Sequence, residues 1–197
     1  MKLRLFPCCI LAVCLLALVS IPLLAQAPAP KAADPVLITS CGQSPGPNQV
    51  AVLAKRAGVN YQLKLDAEAS DLASKQYKSV IVVTGASLKG MGAAGVSITE
   101  EIARVEALIA AAKKQGVTVI AAHVEGMSRR AAQAAPGDNS DEMSIDAVCP
   151  KAAFMIVRKD GDTDGRFTTL SKTRKVPLVL FEKNMELTDV LKNVFAK

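Results

Sequence analysis

The sequence predicts a three-layer α/β/α sandwich built on a mostly parallel sheet of five to six strands. From about residue 35 onward, runs rich in β-branched residues alternate with segments whose apolar residues recur at helical spacing. The central runs, SVIVVT at 79–84 and VTVIAAHV at 117–124, are apolar almost throughout. Such runs are typical of parallel strands that helices cover on both faces.

The predicted elements follow one another in strand–helix alternation. Strands are predicted at 35–40, 61–66, 79–84, 117–124, 152–159 and 176–183. Helices are predicted at 48–58, 67–76, 98–115, 167–175 and 187–196, with a helical turn at 126–135 and a short helix within the polar insert 136–148. The helix after Ser97 has the clearest signals, because Ser97 and Glu100 form a capping box and Gly116 follows its last turn.

The second strand indicates the order of the sheet. Residues 61–66 alternate apolar and polar side chains, which suits a strand at an edge. An edge position for this strand fits the order 2-1-3-4-5 of flavodoxin-like and other Rossmann-like sheets.

The first 27 residues have the composition of a signal peptide. Lys2 and Arg4 precede an apolar stretch at 5–25, and Ala25-Gln26-Ala27 is an A-x-A cleavage pattern. Pro28 is a poor residue just after a cleavage site, and the apolar stretch is long enough to span a bilayer. An uncleaved N-terminal anchor is therefore the alternative to a cleaved signal.

The remaining sequence divides into a linker and one domain. Residues 28–34 are a Pro/Ala-rich linker with nothing to bury, and residues 35–197 are enough for a single α/β domain. Both interpretations of the N-terminus predict that this domain is extracytoplasmic: periplasmic or secreted, or membrane-anchored and facing outward.

The charge of the domain is mildly positive. When Lys2 and Arg4 are taken from the 24 basic residues, 22 remain against 18 acidic residues, a net charge of +4. The basic residues form no continuous run and aromatic residues are only 4% of the chain, so the features of a nucleic-acid-binding protein are missing. We expect no nucleic-acid partner, and contact with a membrane only through the N-terminal segment if it stays uncleaved.

A ligand site is predicted where the first and third strands end. In sheets of this order, ligands bind beyond the carboxyl ends of the strands at the switch point of the strand order. The connections there are small, polar and glycine-rich, which favours a small anion held by free backbone N–H groups and a helix N-terminus. The candidate ligand-binding residues are Ser40, Cys41, Gln43, Ser44, Gly85, Ser87, Lys89, Gly90, Gly92, Gly95, Ser97 and His123.

The stretch GMGAAG at 90–95 reads as G-x-G-x-x-G but does not fit an NAD site. A dinucleotide fingerprint begins directly after its strand and leads into the helix. Here five residues, 85–89, separate the motif from the strand, and the helix begins only after Ser97. A P-loop is excluded as well, because Met91 stands where the lysine is required. We interpret residues 85–96 as a long flexible lip ahead of a capped helix.

Cys41 and His123 are the candidates for an alternative function as an enzyme. A histidine beside a cysteine activates a thiolate nucleophile. A phosphatase-type loop is not indicated, since Pro47 stands where such enzymes hold an arginine. Cys149 precedes a strand whereas Cys41 follows one, so the two thiols lie at opposite edges of the predicted sheet and we expect both to be free. The sequence leaves the question of catalysis open and leans away from it.

The segment DGDTDG contains a candidate calcium site. Asp160, Asp162 and Asp164 match the first half of a calcium-binding loop. Ser171 occupies the twelfth position instead of a glutamate, and a strand precedes the segment, so an Asp/Gly turn is the favoured interpretation.

Four stretches together resemble a known family. They are VLITSCGQSPGPNQV, IVVTGASLKGMGAAGVSITEEIARVEALIAAAKKQG, VIAAHVEGMSRR and CPKAAFMIVRKDGDTDGRFTTLSK. The sequence from about 35 to 197 is similar to short exported bacterial proteins that are classified only as a domain of unknown function. The resemblance implies a signal peptide and one α/β domain, and brings no catalytic residues. We are left with three hypotheses: a small-anion binding module, an enzyme using Cys41 or His123, and an envelope protein-interaction domain.

Overall fold

The computed structural model describes residues 30–74, 76–131 and 139–196. The predicted signal peptide or anchor at 1–27 lies outside these residues. Within them, no helix combines the length and the hydropathy needed to cross a bilayer.

The described chain alternates strands and helices as predicted. The strands are β1 Val36–Cys41, β2 Tyr61–Leu63, β3 Ser79–Thr84, β4 Thr118–His123, β5 Phe154–Arg158 and β6 Leu178–Phe181. The helices are α1 Gly46–Ala57, α2 Leu88–Ala94, α3 Ile98–Lys114, α4 Ser140–Val148, α5 Arg166–Arg174 and α6 Glu186–Val194.

All six strands are parallel, in the order β2-β1-β3-β4-β5-β6. The predicted sheet and the edge position of β2 are confirmed. One apolar cluster, which includes Val105, Ile145 and Phe167, packs α3, α4 and α5 against one face of the sheet. A second cluster, which includes Val50 and Leu191, packs α1 and α6 against the other face. The fold is therefore a three-layer α/β/α sandwich.

Two predictions of local structure were wrong. Residues 85–96 are not a flexible lip, because α2 forms within them: the Ser87 hydroxyl accepts from the Gly90 N–H at its start, and Gly95 ends it in the left-handed conformation. The segment 67–76 holds only a 3₁₀ turn, Ala69–Leu72, where a helix was expected. Leu72 is the one buried apolar side chain of that turn. Little apolar burial is therefore available to stabilise a longer helix.

Candidate functional site

The connections after β1 and β3 meet at the carboxyl edge of the sheet, the edge formed by the C-terminal ends of the strands. Gln43 and Ala86 form an isolated antiparallel bridge. The Ser87 N–H donates to the Gly42 carbonyl oxygen at 2.7 Å. A Cβ atom added to Gly90 would overlap the Gln43 carbonyl group. The predicted meeting of the two connections is present, and in the described residues they contact each other directly.

Only some of the predicted ligand residues lie at this junction. Ser40 and Cys41 are fully buried in β1, and Ser44 is buried at the start of α1. Gln43 and Ser87 are half-buried where the two connections touch.

The remaining glycine-motif residues point elsewhere. Lys89 and Gly92 are exposed on α2 and Gly95 is exposed at its end. Ser97 caps α3, where its hydroxyl accepts from the Glu100 N–H at 3.2 Å. These residues belong to helix termini and an outer surface, not to one site.

Glu101, in the first turn of α3, binds the connection after β1. Its carboxylate, only 2% exposed, accepts from the Gly42 N–H at 2.9 Å and from Gln43 Nε2 at 3.1 Å. Arg104 neutralises it with an Nη2–Oε2 distance of 2.9 Å, and the same Nη2 donates to the Ser40 carbonyl oxygen at 2.7 Å. The sequence showed only an acidic residue in the first turn of a helix, which is ordinary at that position.

Glu125 occupies the N-terminus of α1. It accepts from the Gly46 N–H at 3.1 Å, where an anionic ligand would be favoured by the helix dipole. Its other oxygen accepts from Arg129 Nε at 3.2 Å. Arg129 Nη1 in turn donates to the Ala86 carbonyl oxygen at 3.0 Å. The connection after β4 thereby joins the connections after β1 and β3.

The N–H groups that follow β3 are held by α4. The Gly85 N–H donates to Ser144 Oγ at 2.8 Å, and the Ala86 N–H donates to Asp141 Oδ1 at 2.6 Å. Burial raises the pKa of the Asp141 carboxyl group above its ordinary value, although the bond from Ala86 acts against this. The sequence predicted a short helix within the polar insert here but gave no sign of either contact.

Four backbone N–H groups of the carboxyl edge thus donate to oxygens of the chain's own side chains. They belong to Gly42, Gly46, Gly85 and Ala86. Three of the four acceptors are carboxylates, so the negative charge that a bound anion would bring is already supplied by the protein.

Cys41 and His123 do not form a catalytic pair in this structure. Both side chains are 0% exposed. Burial, with the negative charge of Glu101, raises the pKa of Cys41 to about 12, so its thiol stays protonated. Burial lowers the pKa of His123 to about 4. The His123 Nε2–H donates to the Gly126 carbonyl oxygen at 3.0 Å, and Nδ1 lies 3.2 Å from the Thr84 hydroxyl oxygen.

The prediction of two free thiols is confirmed. Cys41 and Cys149 are both buried and unpaired. Cys41 ends β1 at the carboxyl edge, whereas Cys149 follows α4 just ahead of β5. Each thiol packs within the apolar cluster beneath α3, α4 and α5.

The three aspartates of DGDTDG do not converge on a cation. Asp160 pairs with Arg158, with an Nε–Oδ1 distance of 2.6 Å. Asp162 accepts from the Phe167 N–H at 2.6 Å at the start of α5, and Asp164 pairs with Arg130 at 2.7 Å. Within the described residues, no three His, Cys, Asp or Glu side chains are placed to share a metal ion. The geometry therefore favours the Asp/Gly turn over the calcium loop.

Arg130 is the centre of a buried ion network that the sequence did not reveal. Its side chain is 0% exposed and bonds to Glu142, also 0% exposed, at 2.5 Å. It also donates to Asp164 at 2.7 Å and to the Gly161 carbonyl oxygen at 2.6 Å. Its guanidinium lies 5.4 Å from the ring centroid of Phe167. Arg130, in the connection after β4, is thereby bonded to Gly161 and Asp164 in the connection after β5.

The comparison with protein families agrees with the resemblance seen in the sequence. A family model described as "Domain of unknown function (DUF6305)" matches residues 33–195. The chain belongs to the DUF6305 family. No similar protein was found among curated proteins.

The DUF6305 chain also has similarity to several solved structures. A flavodoxin from the domain Archaea is 11% identical over 81% of this chain and 94% of that chain, with a TM-score of 0.37. A mutant flavodoxin from Pseudomonas aeruginosa is 12% identical over 81% and 97%, with a TM-score of 0.38. A GDSL-like lipase from Bacteroides thetaiotaomicron is 11% identical over 81% and 83%, with a TM-score of 0.37.

Two glycines of the stretch GMGAAG are expected to respond in opposite ways to alanine. Gly90→Ala is expected to lower the free energy of unfolding by about 1–3 kcal/mol, because the new Cβ overlaps the Gln43 backbone. Gly92→Ala has open space around its Cβ and is expected to raise it by up to about 1 kcal/mol through helix propensity. Urea unfolding of the two variants tests this pair. Equal effects would show that the contact between α2 and the β1 connection is not tight.

Proposed function

We propose that this chain is an exported interaction domain, held at the membrane by its N-terminal segment, and not a domain that converts a substrate at its carboxyl edge. The observation that carries this proposal is the state of the carboxyl edge. Its backbone N–H groups donate to Glu101, Glu125, Asp141 and Ser144, and its connections touch one another.

The sequence supports the tether. Residues 5–25 are apolar and Pro28 disfavours cleavage after Ala27. N-terminal sequencing of the chain taken from the cell envelope distinguishes an intact segment from a cleaved one. A first residue at position 28 would contradict the tether.

Burial of the candidate catalytic groups supports a role without chemistry at Cys41 or His123. A nucleophile must reach its substrate, and the Cys41 thiol is both inaccessible and protonated. The His123 ring is held by Gly126 and stacks 5.0 Å from the Phe167 ring, so its position is that of a core residue.

An exposed apolar groove supports a role in interaction. It lies between α1 and α6, has a volume of about 400 Å³, and is lined by Val52, Leu53 and Met185 among others. Val52 is 54% exposed and Met185 is 56% exposed. Two exposed apolar side chains beside one groove offer a small surface on which another molecule could pack.

A small-anion binding module at the carboxyl edge is the second candidate function. The contact between the Asp141 carboxylate and the Ala86 N–H favours this candidate. The contact forms even though burial raises the pKa of the Asp141 carboxyl group. A small anion on the N–H groups of Gly46 and Ala86 would have to replace Glu125 and Asp141 there.

Thermal unfolding with and without anions separates the two candidates. If the chain is an interaction domain, its Tm in about 10 mM phosphate, sulfate or citrate is expected to equal its Tm in sodium chloride of the same ionic strength. Asp141→Ala exposes the Ala86 N–H and is expected to lower Tm. None of these salts is expected to restore the Tm of this variant. The exposed Asp189→Ala is the matched control.

A rise in Tm of several degrees with one anion would contradict the interaction-domain proposal. A ligand that binds only the folded state stabilises it by about 2.7 kcal/mol at a hundredfold excess over Kd. Rescue of Asp141→Ala by the same anion would place that ligand at the Ala86 N–H and establish the second candidate.

A further inference from the structure

Exposed basic side chains gather at the amino edge of the sheet, the edge where the strands begin. Because all strands are parallel, the connections that enter them lie together at this edge. At the start of each strand, a lysine stands in the entering connection or in the last turn of the helix ahead of it. The lysines concerned include Lys55, Lys78, Lys113, Lys114, Lys151 and Lys175.

Acidic residues are fewer in the same segments. In the described connections Asp34 is the one acidic residue, and it accepts from the Asn60 N–H at 3.1 Å. The last turns of the preceding helices add Asp71, which pairs with Lys64, and Asp146, which pairs with Arg166. Within the described ranges, Lys78, Lys113 and Lys114 form no ion pair, while Lys151 pairs with Glu106 at 2.6 Å. Lysines therefore outnumber acidic residues at this edge of the described chain.

Helix stabilisation accounts for only part of this arrangement. Lysines in the last turn of a helix interact favourably with its dipole, which applies to Lys113 and Lys114 at the end of α3. Lys78 directly precedes β3 and Lys31 lies ahead of β1, so neither is in a helix. The charge at this edge exceeds what the helices require.

The lysines border an open groove. One cavity of about 720 Å³ is lined by Tyr77, Lys78, Lys114 and their neighbours. A second cavity of about 420 Å³ is lined by Lys113 and Lys151, and both cavities include Gly116 and Val117. The basic surface is thus concave and accessible, in contrast to the closed carboxyl edge.

The chain enters the domain at this same edge. The Ala32 N–H donates to the Val194 carbonyl oxygen at 3.0 Å, and Lys31 Nζ donates to the Asn193 carbonyl oxygen at 2.6 Å. Both contacts fix the entering chain to the C-terminal end of α6. The linker 28–34 spans at most about 25 Å, so it keeps the amino edge close to whatever holds residues 5–25.

We propose that the amino edge docks on an anionic phospholipid surface, with Lys78, Lys113 and Lys114 facing the headgroups. The proposal rests on the tethered interaction domain proposed above and names its partner. Clusters of lysines close to a membrane-spanning segment are attracted to anionic lipids over about a Debye length. The carboxyl edge then faces away from the membrane.

The test uses the full chain in proteoliposomes of phosphatidylcholine with or without about 30% phosphatidylglycerol. Gln115→Cys at the amino edge and Thr163→Cys at the carboxyl edge are each labelled with a fluorophore in a chain whose Cys8, Cys9 and Cys14 are replaced by serine. Both labelled positions are exposed, whereas Cys41 and Cys149 are buried and stay unlabelled. Lipids with spin-labelled headgroups quench a fluorophore that lies at the membrane surface.

Quenching at residue 115 is expected to rise at least about twofold when phosphatidylglycerol is present, and to fall again at high salt. Quenching at residue 163 is expected to stay low in both lipids. Lys78→Glu with Lys114→Glu is expected to abolish the rise at residue 115. The exposed Lys89→Glu with Lys183→Glu makes the same change of net charge at the carboxyl edge and is expected to preserve it.

The docking proposal would be wrong if quenching were equal at the two labels, or if quenching at residue 115 did not change with phosphatidylglycerol. Neither result would contradict the tether. A chain that does not stay with the proteoliposomes would overturn the tether and the docking together. An equal loss in both lysine pairs would show an effect of total charge and would also overturn the assignment to the amino edge.

Discussion

Arg130→Met is expected to lower the free energy of unfolding by about 3–5 kcal/mol. The substitution removes the cation that lies 2.5 Å from Glu142, a carboxylate with no exposed surface. Arg166, at 3.5 Å from the other oxygen of Glu142, stays as a longer and weaker partner. Removing one partner of a buried ion pair is costly because the other charge keeps its desolvation penalty.

Urea unfolding of a matched set of variants measures this effect. Arg130→Met with Glu142→Leu is expected to be more stable than Arg130→Met alone, since no unpaired Glu142 carboxylate remains in the core. Lys159→Met breaks the exposed Lys159–Glu182 pair and is expected to leave the unfolding midpoint almost unchanged. If Arg130→Met behaved like Lys159→Met, the network would have no structural importance.

The stability of the domain is expected to fall by about 3 kcal/mol as the pH is lowered from 6.5 to 4, because of His123 alone. Its pKa is about 4 in the folded chain and 6.5 when the side chain is solvated. Between these values the unfolded chain binds a proton that the folded chain does not, so acid favours unfolding. Above pH 6.5 both states are neutral at this residue and the contribution is complete.

Comparison of the wild type with His123→Gln isolates this contribution, because the chain has a single histidine. A glutamine amide keeps a donor for the Gly126 carbonyl oxygen and does not titrate. The difference in unfolding free energy between the two proteins is expected to shrink from pH 7 to pH 4.5. The Asp141 carboxyl, whose pKa is raised, acts in the opposite direction but is present in both proteins. A difference that does not depend on pH would show that His123 has the same pKa in the folded and the unfolded chain.

The sheet was predictable because its signals are local. The third strand was predicted at 79–84 and is found at Ser79–Thr84, since an unbroken β-branched run admits one interpretation. The opposite placement of Cys41 and Cys149 followed from strand order alone. An elementary pattern of strands and helices was sufficient for both results.

The closure of the carboxyl edge was not predictable, because it depends on partners that are distant in sequence. The acceptors Glu101, Glu125 and Asp141 lie 59, 79 and 55 residues from the N–H groups they bind. Each reads in the sequence as an ordinary acidic residue near a helix end. From the sequence, the N–H groups after β1 and β3 are expected to be free. Whether they bind an acceptor depends on side chains from three other segments.

The glycine motif shows the same limit at the scale of one turn. Gly90 and Gly92 are equivalent in the pattern G-x-G-x-x-G. In the fold, one presses on the backbone of Gln43 and the other faces open space. No spacing rule distinguishes them, because the difference lies in a neighbour 47 residues away in the chain.

The inner position of β1 determines how the domain would respond to mechanical force. β1 is hydrogen-bonded to β2 on one side and to β3 on the other, and the chain enters it at Val36. A pull on the N-terminal segment would load both ladders along the strand axis, so that many hydrogen bonds share the force at once instead of opening one by one. The Gln43–Ala86 bridge adds a clamp beyond the far end of the strand. A domain connected in this way is expected to resist unfolding by a force applied at its N-terminal end.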